Sequence, residues 1–164
     1  MRNPTALTTL TAAIAVAAGF SLATPASAQD SAAQATYRDI EHTLGLVPGF
    51  FKAFPEAGIT GAWNEFKSVQ LSPATKLDNK TKQLIGLAVS AQIPCQYCIY
   101  FHTAVAKANG ATDAEIREAV AMSAQTRHWS TVLNGMEIDL ATFKSETDTV
   151  LRLAAEKAKS PKSQ

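Results

Sequence analysis

Cysteine is scarce in this chain. Its 164 residues hold two, Cys95 and Cys98. There is no second cysteine pair to complete a four-thiolate zinc site. Alternating strand patterns and internal repeats are also missing, which leaves no sequence support for a β-rich or solenoid architecture. No block of basic residues occurs apart from the tail, Lys157, Lys159 and Lys162, which reads as a solvated end. Nucleic acid and anionic membrane are therefore poor partners. The longest apolar run, Leu10 to Leu22, falls short of the roughly 20 residues a spanning helix needs, so no stable membrane insertion is expected. A twin arginine is absent as well, which argues against the export route for folded proteins.

What is present begins with a leader. Arg2, the apolar run and the small-x-small triplet Ala26-Ser27-Ala28 before Gln29 read as a signal peptide over residues 1–28. A periplasmic or secreted protein is expected. Cleavage would remove Arg2 and no acidic residue, leaving 14 basic and 14 acidic residues. Residues 29–36 are small and polar and read as a disordered leader. Residues 37–158 read as one helical domain, large enough to bury a core.

Within that domain the periodicity is helical throughout. A short helix from Tyr37 stops at Gly45. An aromatic knot of Phe50, Phe51 and Phe54 follows the Pro48-Gly49 turn. A helix over about 58–70 presents Ile59, Trp63, Phe66 and Val69. Asp78 or Asn79 caps a helix over about 80–92, with Leu84, Ile85, Leu87, Ala88 and Ala91 as its inner face. Pro94 opens the next helix, since proline is tolerated in a first turn, and Gly110 closes it. Thr112 to Glu115 forms a capping box for a helix ending near Ser123 or Gln125. The remainder, from about Arg127 to Lys157, is helical with a bend near Asn134-Gly135. The expected fold is all-α: a compact bundle of about six helices, with the cysteine pair at the N-terminus of a central helix.

The segment IPCQYCIYFH, residues 93–102, carries the chemistry. At about 100° per residue, Cys95, Cys98 and His102 fall within a wedge of roughly 60° on one helix. The same spacing brings the cysteine Cα atoms to within about 5 to 6 Å, the separation a disulfide needs. Unpaired N–H groups and the positive end of the helix dipole favour a thiolate in the first turn, and His102 stands ready to accept or relay its proton. A c-type haem requires histidine directly after the second cysteine, where this chain has Ile99. Zinc would have three ligands rather than four. An inert staple closes too short a loop to restrict the unfolded chain much. It stays open beside the favoured reading, a redox-active pair. No cofactor and no metal are expected.

The stretch KTKQLIGLAVSAQIPCQYCIYFHTAVAKANGATDAEIREAVAMSA resembles the core of the alkylhydroperoxidase-D-like group of the carboxymuconolactone decarboxylase superfamily, over about residues 79 to 124. The resemblance implies an all-α fold and a homo-oligomer, trimer or hexamer. It implies that Cys98 attacks a hydroperoxide substrate, that Cys95 resolves the resulting sulfenic acid, and that His102 belongs to the proton relay. An external dithiol would reduce the pair. The superfamily's decarboxylase branch lacks the cysteines, so decarboxylation is not implied. At the relay position, twelve residues before the first cysteine, the family has glutamate and this chain has Gln83. A neutral amide orients an imidazole or a water but takes no proton. Glu65 is a possible substitute carboxylate, with a solvated surface role as the plainer reading.

Of the other residues, His128 and Trp129 read as packing, Tyr97 and Tyr100 as wall or interface, and Met122 as core. His42 has no assigned partner. The sequence thus points to an exported thiol-dependent peroxidase. The alternatives are a thiol–disulfide exchange protein and a non-catalytic helical oligomer that binds a small ligand.

Overall fold

A computed structural model describes the backbone of residues 26–159 and the side chains of residues 32–159. Residues 1–25 of the expected signal peptide lie outside the described residues. Seven α-helices follow one another: α1 (Ala26–Leu44), α2 (Gly49–Lys52), α3 (Glu56–Phe66), α4 (Asn79–Gln92), α5 (Gln96–Ala108), α6 (Asp113–Gly135) and α7 (Leu140–Lys159). A π-helical turn, Lys67–Leu71, extends α3. There is no strand among the described residues, as an all-α reading requires. Among them no helix is long and apolar enough to cross a membrane.

The chain divides into two compact units between Asn64 and Glu65, where the sequence suggested one domain over 37–158. The first unit is closed by Ile40, Ile59 and Trp63, all essentially buried, with Phe51 beside them. Trp63 lies edge-on to Phe51 at 5.4 Å, and its indole N–H donates to Asp39 Oδ2 at 2.7 Å. Residues 29–36, expected as a disordered leader, belong to α1. The reason is visible at Thr36. It is buried, its hydroxyl donates to the Ala32 carbonyl oxygen, and it shares a 2.8 Å hydrogen bond with the Thr60 hydroxyl. The aromatic knot resolves into one buried ring, Phe51, while Phe50 and Phe54 are exposed.

In the second unit α4 packs against both α5 and α6. Its start is capped by Asp78, whose carboxylate accepts from the Thr81 N–H at 2.7 Å, as its sequence position suggested. The buried face of α4 is Gln83, Leu87 and Ser90. Ile85, read as inner, is exposed: it lies off the Gln83–Leu87–Ser90 stripe, which follows the i, i+4, i+7 period. At the end of α5, Gly110 takes φ +84°. The Gly110 N–H reaches the Lys107 carbonyl and the Ala111 N–H reaches the Ala106 carbonyl, the paired bonds of a Schellman cap.

The Thr112–Glu115 capping box that opens α6 is present in both directions. Glu115 also bonds Lys80 of α4 at 2.7 Å. These partners, Lys80 first and then the Thr112 backbone and hydroxyl, push the Glu115 carboxyl down to about 2.

α6 runs unbroken through Arg127 to Gly135, past the stop expected near Ser123. The true break comes at Met136, the C-cap, and at Glu137, which takes φ 53°. Every residue of α7 is exposed. Met122, read as core, is exposed too. His128 and Trp129 touch each other edge-on at 5.4 Å and face outward instead of packing. The apolar face expected of these helices exists, but none of the described residues covers it.

Replacing Thr112 by alanine removes one half of the capping box. It should cost about 1 kcal/mol in chemical denaturation, with the helical content of the folded protein unchanged.

Candidate active site

α4 ends because Pro94 lacks the N–H that would continue it. Ile93 is its C-cap. The chain then turns so that the Cys95 N–H donates to the Ser90 carbonyl oxygen at 3.0 Å. This bond fixes where α5 begins. Pro94 was expected in the first turn of α5; it lies before the helix, and Cys95 itself is the N-cap. Cys95 Sγ accepts from the Cys98 N–H at 3.2 Å, replacing the oxygen that usually fills this role. The Cys95 carbonyl oxygen accepts from the Ile99 N–H, the first turn of the helix.

Cys95 and Cys98 are joined as a disulfide, with Cα atoms 5.3 Å apart. The N-cap and the third helical residue are therefore bridged at the positive end of α5. Both are partly exposed. The flanking tyrosines, Tyr97 at 88 % and Tyr100 at 79 % exposed, stand in solvent.

His102 lies one turn beyond Cys98 on α5 and is half-buried. Its Nδ1 is 2.7 Å from Gln83 Oε1. Gln83 is 2 % exposed and uses both ends of its amide: the Nε2 group donates to Gln70 Oε1 at 2.9 Å. Because that amide nitrogen serves Gln70, the Gln83 carbonyl oxygen faces His102, and it can only accept. Nδ1 therefore carries the proton and Nε2 the lone pair. Burial holds His102 below the usual histidine value of 6.5, since desolvation disfavours the imidazolium.

The ring fits because residue 86 is glycine: a Cβ there would run into the imidazole of His102. On its other side, Phe101 lies edge-on at 5.2 Å and in turn faces Phe66 at 6.2 Å. No described buried side-chain nitrogen or oxygen lacks a hydrogen-bond partner.

Of the residues singled out in the sequence, Cys95, Cys98, His102 and Gln83 are thus joined pairwise, through the disulfide and through the imidazole–amide bond. Glu65 is exposed, and the side chain that meets Gln83 is Gln70. Two residues of the site were missed, Gly86 and Gln70. A glycine in mid-helix, costly to helix stability, was the available signal for the first. Gln70 sits in a π-helical turn that no sequence pattern announces. Among the described residues no cluster of histidine, cysteine or carboxylate could hold a metal ion.

The pH consequence has a definite sign. The folded His102 binds its proton less readily than the unfolded chain does, so its contribution to stability is complete above 6.5 and is lost as pH falls below that value toward the folded pKa. An NMR titration should place the His102 midpoint below 6.5. In Gln83→Glu, a carboxylate against Nδ1 should raise it by about one unit or more.

Comparison with known proteins bears on the fold and the family. Over 71 % of its length the chain resembles the crystal structure of the alkylhydroperoxidase AhpD core from Rhodospirillum rubrum, covering 88 % of that chain with a TM-score of 0.59 and 29 % identity. It is 43 % identical over 51 residues to "Uncharacterized protein 4 in cox locus" of Paracoccus denitrificans. That match takes in 31 % of this chain and 46 % of the relative, so the chain spans about half the length of the curated relative it matches. The model of the carboxymuconolactone decarboxylase family matches residues 58–139. With its all-α fold and its likeness to the AhpD core, this chain belongs to the carboxymuconolactone decarboxylase family, on the AhpD-like side.

Proposed function

We propose that the protein is an exported thiol-dependent peroxidase that reduces hydroperoxides through the Cys95–Cys98 pair. The observation that carries this reading is the bridged pair at the N-terminus of α5 with a neutral imidazole one turn along. In the reduced form, N–H groups at the helix start stabilise a thiolate at Cys98, and the Nε2 lone pair of His102 receives the thiol proton. The thiolate attacks one peroxide oxygen. The O–O bond breaks, the alcohol leaves with a proton, and Cys98 becomes a sulfenic acid. The Cys95 thiol displaces its hydroxyl as water, which forms the disulfide. An external dithiol then reduces the bridge and is itself oxidised to a disulfide. Support for export is the signal-peptide pattern read in residues 1–28, and export would require a dithiol that is available outside the cytoplasm.

The protein works as a homo-oligomer in this reading, a trimer or hexamer. Support comes from large apolar side chains left in solvent on α4, at its C-cap and on α6, among them Ile85, Val89, Ile93, Met122 and Trp129, and from the wholly exposed α7. A single chain rarely exposes so extended an apolar surface.

One observation favours a second reading, thiol–disulfide exchange without peroxide chemistry. The chain His102–Gln83–Gln70 contains no carboxylate to hold an imidazolium, so it gives less help to proton transfer. A strongly oxidising reduction potential for the pair would favour this alternative.

Peroxide consumption by the mature protein with a defined dithiol tests the proposal. Cys98→Ser should abolish it while circular dichroism stays helical, and equal turnover in the variant and the wild type would reject the peroxidase reading. Gln83→Glu should raise consumption about tenfold or more, because a carboxylate partner makes His102 a stronger base.

A further inference from the structure

We infer that Gln70 is a positioning residue: presented by the π-helical turn Lys67–Leu71, it fixes the orientation of the buried Gln83 amide and thereby decides which nitrogen of His102 carries the proton. The inference rests on the reading of His102 as the base for Cys98 only for its catalytic consequence. The hydrogen-bond chain itself is a matter of geometry.

A glutamine amide is two-faced. Its oxygen accepts and its nitrogen donates, and the two ends exchange by a half-turn of the terminal torsion. Placed alone against a neutral imidazole, Gln83 could present either end. With its oxygen toward Nδ1, the proton sits on Nδ1 and the lone pair on Nε2. With its nitrogen toward Nδ1, the proton moves to Nε2 and no lone pair is left there. The choice is made at the far end of the amide. Gln70 Oε1 lies 2.9 Å from Gln83 Nε2 and is an acceptor, so it takes the nitrogen and turns the oxygen to His102. Gln83 is buried, and an unpaired amide group there would cost about 1 to 3 kcal/mol. That penalty couples the two amides: the end that Gln70 presents, its oxygen in this structure, sets the end of Gln83 that faces His102.

The backbone supports the same conclusion. The turn Lys67–Leu71 is π-helical and follows directly on α3, ending at Ser72 in extended backbone. The turn is tied down at its end, where the Ser72 N–H donates to the Lys67 carbonyl oxygen at 2.9 Å. Lys82 of α4 donates from Nζ to the Ser72 carbonyl oxygen at 3.1 Å. The segment carrying Gln70 is therefore held to the same helix that carries Gln83.

Heteronuclear NMR of the histidine ring in the mature protein, at a pH above 6.5 where the ring is neutral, reads the tautomer directly. Wild type should show the proton on Nδ1. Gln70→Glu keeps an acceptor at this place and should leave the tautomer unchanged. Gln70→Lys replaces the acceptor by a donor. The Gln83 amide should then reverse, and the dominant form should become Nε2–H, an inversion of the tautomer ratio. Gln70→Leu removes the acceptor without adding charge and should give a mixture, which serves if the lysine variant does not fold.

A residue with only a structural role would lower stability without moving the ring proton. Retention of a dominant Nδ1–H in folded Gln70→Lys or Gln70→Leu overturns the inference, as does a wild-type ring with its proton on Nε2. Peroxide consumption measured on the same samples separates the two claims. A tautomer that follows residue 70 in a protein with no turnover sustains the role of Gln70 and removes the peroxidase reading.

Discussion

The bond between the imidazole of His102 and the amide of Gln83 organises the second unit of this protein. It is a buried polar contact between α4 and α5, and such contacts are costly unless every group in them is satisfied. Here both ends of the buried amide are satisfied: His102 donates to Gln83, and Gln83 donates onward to Gln70. Several other features follow from accommodating this chain. Residue 86 must lack a side chain so that the ring can lie on α4. The buried stripe of α4 must include a polar residue, Gln83, where an aliphatic one would pack more simply. Ser90, two turns further on, keeps its buried hydroxyl satisfied by donating back to the Gly86 carbonyl oxygen at 2.6 Å.

The cysteine pair depends on the same helix from the other end. Cys95 is placed by its N–H bond to Ser90 of α4. From there the spacing of three puts Cys98 within reach of its partner, and the spacing of four puts His102 one turn beyond. The pair and the imidazole are thus local to a single stretch of α5, while what holds them belongs to α4. This division explains how a chain with few large buried side chains in this unit, Leu87 being the one such residue of α4, can still define a site. The parts that must keep their geometry are close in sequence, and two contacts to α4, one between backbones and one between side chains, set their orientation.

Much of this was legible in the sequence, and what was legible was local. The caps at Asp78, Gly110 and Thr112 are each declared by residues within a few positions, and each has the geometry its composition demands. The thiols and imidazole share a face because helical spacing alone dictates it. What failed was information carried by long-range packing. Thr36 is ordered by Thr60, a partner 24 residues away, so the segment before Tyr37 read as loose. Met122, Trp129 and Ile85 read as interior because apolar periodicity marks a face but does not say what lies against it. Gln70 went unnoticed because its role depends on a π-helical turn, and a glutamine in a helix carries no mark of the torsion it adopts.

In the proposed reading, an amide at the relay position where the resemblance implies a carboxylate changes how the site handles a proton. A glutamate beside His102 would attract the proton to the imidazole and stabilise the resulting ion pair, but at the cost of desolvating a carboxylate in a position that is almost wholly buried. An amide avoids that cost. It offers only a dipole, so when Nε2 accepts a proton the new imidazolium is stabilised by the Gln83 oxygen at 2.7 Å and by no full negative charge. An amide meets the imidazolium as ion to dipole, where a carboxylate would add the attraction of a full opposite charge, so the base is weaker by that difference, and burial weakens it further. In that reading the driving force for forming a thiolate would come mainly from the other side, from the N–H groups at the start of α5 where Cys98 sits. In the peroxidase reading proposed above, a site built this way would rely on the acidity of its thiol more than on the strength of its base, with the helix terminus as the source of that acidity.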